Sequence, residues 1–323
     1  MNDYLLSAIL GVVEGLTEFL PVSSTAHIRL AQAALQGQAS LNDNFWKMFA
    51  VVIQLPAILA VVVYFWRKLL GFATSFFAPG LTARQRVSHP IVLIGIAFVV
   101  TAVPAVLAKK LIKGNLESLW VMGGALVVGG VVMYVVDQLF GERGHELKPA
   151  AVEAAPSPDA KPQTVPLDYA SPTTATHGKV EIDSVTAMRP WQAAWIGAVQ
   201  VLAAVFPGTS RSMATIAAGQ IARLTRTTAL EFSFYLSIPI MFAACLKDLK
   251  DSLDPKDADA YIGRSLTGHD LACIGIGSAL SFVTALAVIA WFMAWVRRRG
   301  FTPFAVYRLA IGAAVLIWAS RGG

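Results

Sequence analysis

Six stretches of this chain are apolar for long enough to cross a lipid bilayer. A membrane-spanning helix needs about 20 mainly apolar residues. Hydrophobic residues make up 56% of the 323 residues and charged residues only 14%, whereas soluble domains are about one quarter charged. The sequence therefore predicts an all-α integral membrane protein with six transmembrane helices, near residues 48–66, 91–108, 118–139, 228–246, 271–296 and 303–320.

Other features of the sequence exclude several classes of protein. The first residues, MNDYLL, lack the basic segment of a secretory signal, so we expect the first apolar stretch to be retained. Cys245 and Cys273 lie inside apolar runs and are typical of buried hydrophobic residues rather than of a disulfide or zinc site. The net charge of +6 is spread over the connections, which argues against a nucleic-acid partner.

The basic residues predict how the chain is oriented in the membrane. If the six spans alternate in direction, one side collects most of the Lys and Arg residues, and this side is expected to be cytoplasmic. Both termini then face the opposite side. The residues on the basic side are Arg67, Lys68, Arg84, Arg86, those of the 143–189 loop, Arg223, Arg226 and Arg297 to Arg299.

A segment rich in Pro, Ala, Ser and Thr divides the chain. Residues 141–189 have no helical or strand periodicity, so we predict a flexible cytoplasmic linker to which no function is assigned. The linker separates a first unit, residues 1–140, from a second unit, residues 190–323.

The two units resemble each other. "GVVEGLTEFLPVSSTAH", which begins at Gly11, aligns without a gap with "GAVQVLAAVFPGTSRSM", which begins at Gly197. Pro21 falls on Pro207, and Glu14 falls on Gln200. A proline is also predicted to interrupt the next span of each unit, at Pro56 and Pro239. This similarity predicts an internal repeat.

The repeated segment is too short and too polar for an ordinary span. Residues 4–20 number only 17, carry Glu14 and Glu18, and are followed by Pro21. We therefore predict two re-entrant helical hairpins, at 3–36 and 190–222. With three spans after each hairpin, the second unit is inverted relative to the first. Broken segments in inverted halves are typical of a binding site near the membrane midplane.

Two glutamates in the first hairpin predict a cation. Glu14 and Glu18 are spaced i, i+4 on one helical face, where two carboxylates repel each other unless they share a proton or a cation. A hard divalent ion, Mg²⁺ or alternatively Ca²⁺, satisfies both. The alternative is a surface helix with ordinary solvated glutamates.

The hydroxyl residues after each proline predict an anion site. Helix capping alone explains any one of them. Two half-helix N-termini that face a shared midplane, however, present free N–H groups and positive dipole ends, which favour phosphate. The candidate substrate-binding residues here are Ser23, Thr25, Thr209, Ser210 and Ser212, together with Ser24.

Arg211 and His27 are the remaining strong candidates. The Arg211 guanidinium is expected to hold phosphate oxygens in a bidentate fork, the alternative being a structural salt bridge to Glu14 or Glu18. His27 lies three residues after Ser24, which favours an acid/base pair, the alternative being a hydrogen-bonded structural histidine.

Three further polar residues lie in apolar runs. Gln54 and Glu231 are predicted either to line the site or to hold helices together, and Gln54 is counted as a substrate-binding candidate. Arg308, near the start of the last span, is expected to snorkel to the membrane surface.

With these residues in hand, the sequence resembles the undecaprenyl pyrophosphate phosphatase family of the bacitracin-resistance type. "EGLTEFLPVSSTAH" and "PGTSRSMATI" look like the two signature segments of that family, in the same order. The chain departs from the usual pattern at Ala26, Met213 and Pro56, where the family usually has Gly. These larger residues would narrow the pocket, but none replaces a reacting group. The 141–189 linker is also longer than the connection typical of the family.

The resemblance implies a function and a set of roles. It implies hydrolysis of undecaprenyl diphosphate to the monophosphate carrier for peptidoglycan synthesis, and with it bacitracin resistance. By motif, Glu14 and Glu18 correspond to the acidic pair, Ser24 to the nucleophile, His27 to the active-site histidine and Arg211 to the phosphate-binding arginine. It also implies a homodimer in the bacterial inner membrane, with the active site facing the periplasm.

Several alternatives stay open at this point. Ser24 attacks phosphorus, with Glu18 or His27 as the base, or an activated water attacks directly. The inverted repeat is also a transporter architecture, so a polyprenyl-phosphate flippase or transporter that uses the same site is the alternative function. A membrane protein that binds a metal or an anion without turnover is a further one.

Overall fold

The structure is a computed structural model of the chain. It describes residues 2–37, 41, 43–108, 118–140, 175–176, 179–256 and 261–321. Within these residues the protein is almost entirely helical, apart from a short antiparallel pair of strands, β1 (Ala175–Thr176) and β2 (Lys179–Val180).

The described part of the chain contains thirteen α-helices, six before the second predicted span and seven from that span onward. The first six are α1 (Asp3–Thr17), α2 (Ser24–Gln36), α3 (Asn44–Val52), α4 (Gln54–Tyr64), α5 (Trp66–Phe76) and α6 (Ala83–Val87). The others are α7 (Pro90–Leu107), α8 (Leu119–Phe140), α9 (Pro190–Val205), α10 (Arg211–Ile221), α11 (Arg226–Leu253), α12 (Gly268–Val296) and α13 (Thr302–Ser320).

The six predicted spans are confirmed as helices long and apolar enough to cross a membrane. They are α7, α8, α11, α12, α13 and the combination of α3 and α4 over Asn44–Tyr64. Two further helix pairs are shorter. We call α1 with α2 the first helix pair, and α9 with α10 the second helix pair.

Only one of the two predicted proline interruptions is present. The first span breaks at Ile53, just before Pro56, and Ser281 donates a hydrogen bond to the Ile53 carbonyl (2.7 Å). Pro239, in contrast, lies inside the uninterrupted α11, so the prediction at this position is wrong. A proline removes one backbone N–H, and neighbouring helices allow a buried helix to continue through it.

Each helix pair packs against a long helix of the opposite unit. α1 lies along α12, and α9 lies along α7. Glycines allow both close approaches: a Cβ at Gly11 would lie 2.9 Å from the Gly277 Cα, and one at Gly197 would lie 2.9 Å from the Ala97 Cα. The aligned glycines therefore make equivalent contacts.

Polar contacts connect the outer ends of each helix pair. Gln36, at the end of α2, reaches Asp3 at the start of α1 (3.5 Å), and His269 at the start of α12 also contacts Asp3 (3.2 Å). In the second helix pair, the Gln192 amide on α9 donates to the Ala222 carbonyl after α10 (2.6 Å).

The last part of the predicted linker is ordered. Residues 141–174 and 177–178 of the linker lie outside the described residues. Ile182 bonds to the backbone on either side of Leu224, and Val185 and Met188 are buried in the main apolar cluster. Residues 182–188, which fall within the predicted linker, therefore supply apolar side chains to the core.

Candidate active site

Most of the candidate residues lie at or next to two breaks in the helical chain. α1 ends before Pro21 and α2 begins at Ser24, while α9 ends before Pro207 and α10 begins at Arg211. The residues that precede the second helices, Ser23 and Ser210, have positive φ angles of 75° and 68°. Such angles are rare outside glycine and often occur at functional sites. Both units therefore reverse the chain in the same unusual way.

Gly208 lets the second break approach α8. Its φ is +97°, and a Cβ there would lie 3.1 Å from the Met122 carbonyl carbon. A side chain at this position would therefore meet both backbone strain and a backbone contact.

Glu18 connects the two helix pairs. One carboxylate oxygen, Oε2, accepts a hydrogen bond from Ser24 Oγ, and the other, Oε1, lies 3.1 Å from Arg211 Nη2. Both partners of this ion pair are mostly buried, with side-chain exposures of 13% for Arg211 and 8% for Glu18. The structure thus brings Ser24, Glu18 and Arg211 together from two distant parts of the sequence.

Arg211 has both a partner and spare hydrogen-bonding capacity. Its Nη1 donates to the Ser233 carbonyl on α11 (3.3 Å), and its guanidinium carbon lies 5.9 Å from the centre of the Phe19 ring. Its Nε is buried and has no hydrogen-bond partner within the described parts of the chain. The salt bridge to Glu18 that the sequence left as an alternative is present, and the free N–H leaves a donor for an anion.

Glu14 is a buried acid with an unsatisfied oxygen. Its exposure is 1%, and Glu18 lies four residues further on, at the C-terminal end of α1. Among the described residues its Oε1 has no hydrogen-bond partner. This position does not fit the alternative of a solvated surface glutamate.

These two carboxylates suit a hard divalent cation. Oxygen donors with one unsatisfied atom fit Mg²⁺, which proteins commonly bind through one or two carboxylates plus substrate phosphates. No cluster of three or more His, Cys, Asp or Glu side chains occurs in the part of the chain that the structure describes. The donor set therefore fits an ion that is completed by substrate and water, not a closed protein cage.

His27 is half-buried, and both of its ring nitrogens have a hydrogen-bond partner. Its Nδ1 lies 2.7 Å from the Ser23 carbonyl, and its Nε2 lies 2.7 Å from the Tyr307 hydroxyl. Because a carbonyl only accepts, Nδ1 carries a proton, and in the neutral imidazole Nε2 accepts from Tyr307. The rings of His27 and Tyr307 also stack, with centroids 5.6 Å apart. The hydrogen bond of Ser24 goes to Glu18 instead.

The other hydroxyl candidates have different surroundings. Ser212 Oγ donates across to the Leu20 carbonyl in the first break (2.9 Å) and contacts Ser210 Oγ at 3.0 Å. Ser210 also caps α10 through the Met213 N–H (3.4 Å). Thr25 is exposed and Thr209 is half-buried. Ser212 therefore joins the two breaks, and Ser210 caps a helix.

Gln54 and Glu231 hold helices together in this structure. The Gln54 amide donates to the Ala50 carbonyl across the α3–α4 break (3.3 Å), and its oxygen lies 3.7 Å from Cys245 Sγ on α11. Glu231 forms an ion pair with Lys68 (2.8 Å).

Arg308 does not snorkel, so that prediction is wrong. Its side chain is completely buried, with 0% exposure. Nη1 donates to the Pro21 carbonyl (3.1 Å), and Nη2 donates to the carbonyls of Gly208 (2.9 Å) and Thr209 (3.0 Å). Backbone carbonyls at a helix break have no intrahelical partner, and inside a membrane they need another donor. The Arg308 side chain is buried because it supplies donors to these carbonyls.

The sequence also did not reveal two further polar residues. Tyr307 fixes His27, and Asp137 is a buried carboxylate that accepts from Arg226 Nε (2.8 Å) and from the Phe301 N–H (2.9 Å). Tyr307 precedes the buried Arg308 near the start of the last span, which is the one sequence signal that marks this region. Asp137 is the only acid within an otherwise apolar span, 119–140, and intramembrane acids are a signal for burial with a cationic partner.

The arrangement supplies the parts needed for phosphoryl transfer. Ser24 is a hydroxyl in contact with a carboxylate base, Arg211 is a cation beside it, and two helix N-termini bring unpaired N–H groups. Glu14 adds a second buried acid, whose Oε1 has no hydrogen-bond partner among the described residues. A phosphate ester or anhydride between the two breaks would meet a nucleophile, a base and an electrophilic clamp.

The family model described as "Bacitracin resistance protein BacA" matches residues 7–314. This match includes both breaks and every candidate residue named above.

Individual relatives carry a common name. A protein of Koribacter versatilis, "Undecaprenyl-diphosphatase", is 47% identical, over 99% of this chain and 100% of its own length. Proteins of the same name from Rhodopseudomonas palustris and Novosphingobium aromaticivorans are 36% and 38% identical, each over at least 98% of both chains. The similarity therefore extends across the whole chain.

Proposed function

The chain belongs to the bacitracin resistance protein BacA family, and on this premise we propose that it hydrolyses undecaprenyl diphosphate to undecaprenyl phosphate and inorganic phosphate. It is an undecaprenyl-diphosphatase, and it is a multi-pass membrane protein. The observation that carries the proposal is the contact of Glu18 with both Ser24 and Arg211. Its product is the lipid carrier used in peptidoglycan synthesis, and the family name connects this activity with bacitracin resistance.

In the proposed mechanism Ser24 is the nucleophile and Glu18 is its base. Glu18 Oε2 already accepts the Ser24 hydroxyl hydrogen bond and takes the proton as Oγ forms a bond to the terminal phosphorus. The bond from this phosphorus to the bridging oxygen breaks, and undecaprenyl phosphate leaves with its electron pair. Water then attacks the phosphorus of the phosphoserine, the bond from phosphorus to Oγ breaks, Oγ takes back the proton held by Glu18, and inorganic phosphate leaves with the hydrogens of the water. Direct attack by water on the diphosphate is the variant of this mechanism.

Arg211 binds the terminal phosphoryl group in this proposal. Phosphoryl transfer depends mainly on positioning and on neutralising the charge of the transferred group. The guanidinium is fixed by Glu18 and Ser233, and its Nε is still free to donate. His27 is proposed to act at the same phosphate in its protonated form, in which Nε2 would exchange its hydrogen bond with Tyr307 for one donated to a phosphate oxygen, while Ser23 holds Nδ1.

A divalent cation, Mg²⁺ or alternatively Ca²⁺, is the proposed cofactor. Glu14 and Glu18 would hold it, since Glu14 Oε1 is unsatisfied among the described residues. When bound, such an ion supplies positive charge for the phosphate oxygens. Ser23, Thr25, Thr209, Ser210, Ser212 and Gln54 stay candidate substrate-binding residues.

We propose that each helix pair is a re-entrant hairpin and that the two units form an inverted repeat. The reciprocal packing of α1 on α12 and of α9 on α7 supports this, as do the matching positive-φ serines. The contact of Gln36 with Asp3, and that of Gln192 with Ala222, supports hairpins whose two ends lie on one side. α12 begins beside the outer ends of the first helix pair, where His269 contacts Asp3, and it ends near Asp137 and Arg226. Arg226 follows the outer end of the second helix pair in the chain. The outer ends of the two pairs thus lie near opposite ends of α12, which supports opposite orientations.

The remaining proposals concern the surroundings of the protein. We place it in the bacterial inner membrane, with the site opening to the periplasm and the basic loops in the cytoplasm. The polyprenyl tail of the substrate would extend between spans into the bilayer. A homodimer is the proposed assembly, and lipid translocation through the same site stays an alternative prediction.

The proposal is tested by phosphate release from purified protein in detergent. Undecaprenyl diphosphate is added with Mg²⁺, with Ca²⁺, or after EDTA treatment, and inorganic phosphate is measured. We expect turnover with a divalent ion and at least a tenfold loss after EDTA. Binding without phosphate release would contradict the enzymatic function, and sided proteoliposomes with the same substrate test the transport alternative.

A further inference from the structure

Charge pairing does not explain the burial of Arg308. It is the largest fully buried side chain of the described protein, yet no carboxylate forms a salt bridge with it in any described segment. A charged residue inside a membrane protein is costly unless it is paired or bonded to backbone carbonyls. All of the hydrogen-bond acceptors that Arg308 contacts are backbone carbonyls.

The four acceptors come from three separate segments. Pro21 belongs to the first break, Gly208 and Thr209 belong to the second, and Ala125 lies on α8 (3.1 Å). Pro21 is three residues before Ser24, and Thr209 is two residues before Arg211. One rigid, planar guanidinium thus spans the backbone just before the proposed nucleophile and just before the proposed phosphate ligand.

From this geometry we infer that Arg308 is a positioning residue, which fixes the distance between the two breaks and therefore between Ser24 and Arg211. The inference rests on the proposed function for its effect on turnover. Arg308 itself touches no reacting group in this account. Because a misplacement of about 1 Å in an active site can cost about 100-fold in rate, a loosened clamp would lower kcat.

Two glycines on α8 provide a matched pair of variants. A Cβ at Gly129 would collide with Arg308 Nη2 and lie 2.8 Å from Met213 Cε, whereas a Cβ at Gly124 would meet nothing within 4 Å. Gly129→Ala therefore displaces the guanidinium without removing its charge. Gly124→Ala makes the same chemical change on the same helix, away from Arg308.

The experiment compares wild type, Arg308→Lys, Gly129→Ala and Gly124→Ala as purified, monodisperse protein. Lysine keeps the charge but cannot reach acceptors in all three segments. We expect kcat for phosphate release to fall about 100-fold in Arg308→Lys, with KM changed less than threefold, and to fall at least tenfold in Gly129→Ala. Gly124→Ala should match wild type. In Arg308→Ala, added guanidinium ion should restore part of the lost kcat.

Hydrogen–deuterium exchange tests the clamp without using activity. Peptides that cover 18–27 and 205–214 should both exchange faster in Arg308→Lys and in Gly129→Ala, because the same side chain holds both breaks. Unchanged exchange at either break, or wild-type kcat in folded Arg308→Lys, overturns the inference. Absence of phosphate release by wild type contradicts the proposed function instead, and the exchange result then decides on the clamp alone.

Discussion

The two helix pairs have the same backbone design and different chemistry. Each has a proline in the break, a positive-φ serine before its second helix and a glycine packed on a helix of the other unit. The first pair carries Glu14, Glu18 and Ser24. The second carries Gln200 in place of Glu14, and Arg211 at the first position of α10, where the first pair has Ser24 at the start of α2.

The shared backbone features hold the site together, whereas the side chains that differ between the two pairs are those proposed to react. The repeated backbone brings two helix N-termini to one place, while the acids and the proposed nucleophile come from one half and the guanidinium from the other. The contact of Glu18 with Arg211 joins the two halves. The following predictions test this division of roles.

The largest effect is expected in the first half, from Ser24→Ala. Without the hydroxyl no phosphoserine forms, so phosphate release should fall at least about 1,000-fold. Ser7→Ala is the control, since the Ser7 hydroxyl only bonds to the Asp3 carbonyl of its own helix. Substantial turnover by Ser24→Ala would instead favour direct attack by water.

In the second half, Arg211→Lys should lower kcat/KM by about 100-fold. Lysine keeps the charge but loses the planar fork that contacts Glu18 and is proposed to bind the phosphate. The assay is the same steady-state phosphate release, with Arg67→Ala as a control because Arg67 is exposed. A lysine variant as active as wild type would show that a point charge suffices.

Substitutions at Glu14 and at the equivalent Gln200 are expected to have smaller effects. Glu14→Gln removes a proposed cation ligand and should lower activity about 10- to 100-fold, with a higher Mg²⁺ concentration for half-maximal rate.

Gln200→Glu should not raise the activity, and it should lower the free energy of unfolding by about 3 kcal/mol, because it buries an acid. Equal effects of the two changes on Mg²⁺ dependence would contradict a one-sided cation site.

The smallest effect is expected from Tyr307→Phe. The change removes one hydrogen bond to His27 Nε2 but keeps the stacked ring, so kcat should fall about five-fold, the equivalent of about 1 kcal/mol. His27→Ala in the same background should then cost less than it does in wild type. Independent, additive effects would mean that Tyr307 does not act through His27.

Much of the fold could be predicted from the sequence because membrane spans have a strong signal. Length and hydrophobicity located all six spans, and the prolines at 21 and 207 located both breaks. The effect of Pro239 was not predictable in this way, since whether a buried helix continues through a proline depends on its neighbours. Residues 182–188 looked like linker because few apolar residues in a polar context give no periodicity.

The contacts of the site were less predictable than its members. The spacing of Ser24 and His27 on one helix predicts that they face each other, but His27 Nδ1 bonds to the Ser23 carbonyl and Ser24 bonds to Glu18. The burial of Arg308 depends on carbonyls of both breaks, which come together only in the folded protein. Such demands arise from tertiary structure and leave no local pattern.

The most direct test of the central claim is a structure with a bound, non-hydrolysable polyprenyl methylene diphosphonate. If the two halves act on one diphosphate, the terminal phosphonate will contact the Arg211 guanidinium and lie within about 3.5 Å of Ser24 Oγ, between the two breaks. A phosphonate that contacts only one helix pair, or that binds away from both, would contradict the account.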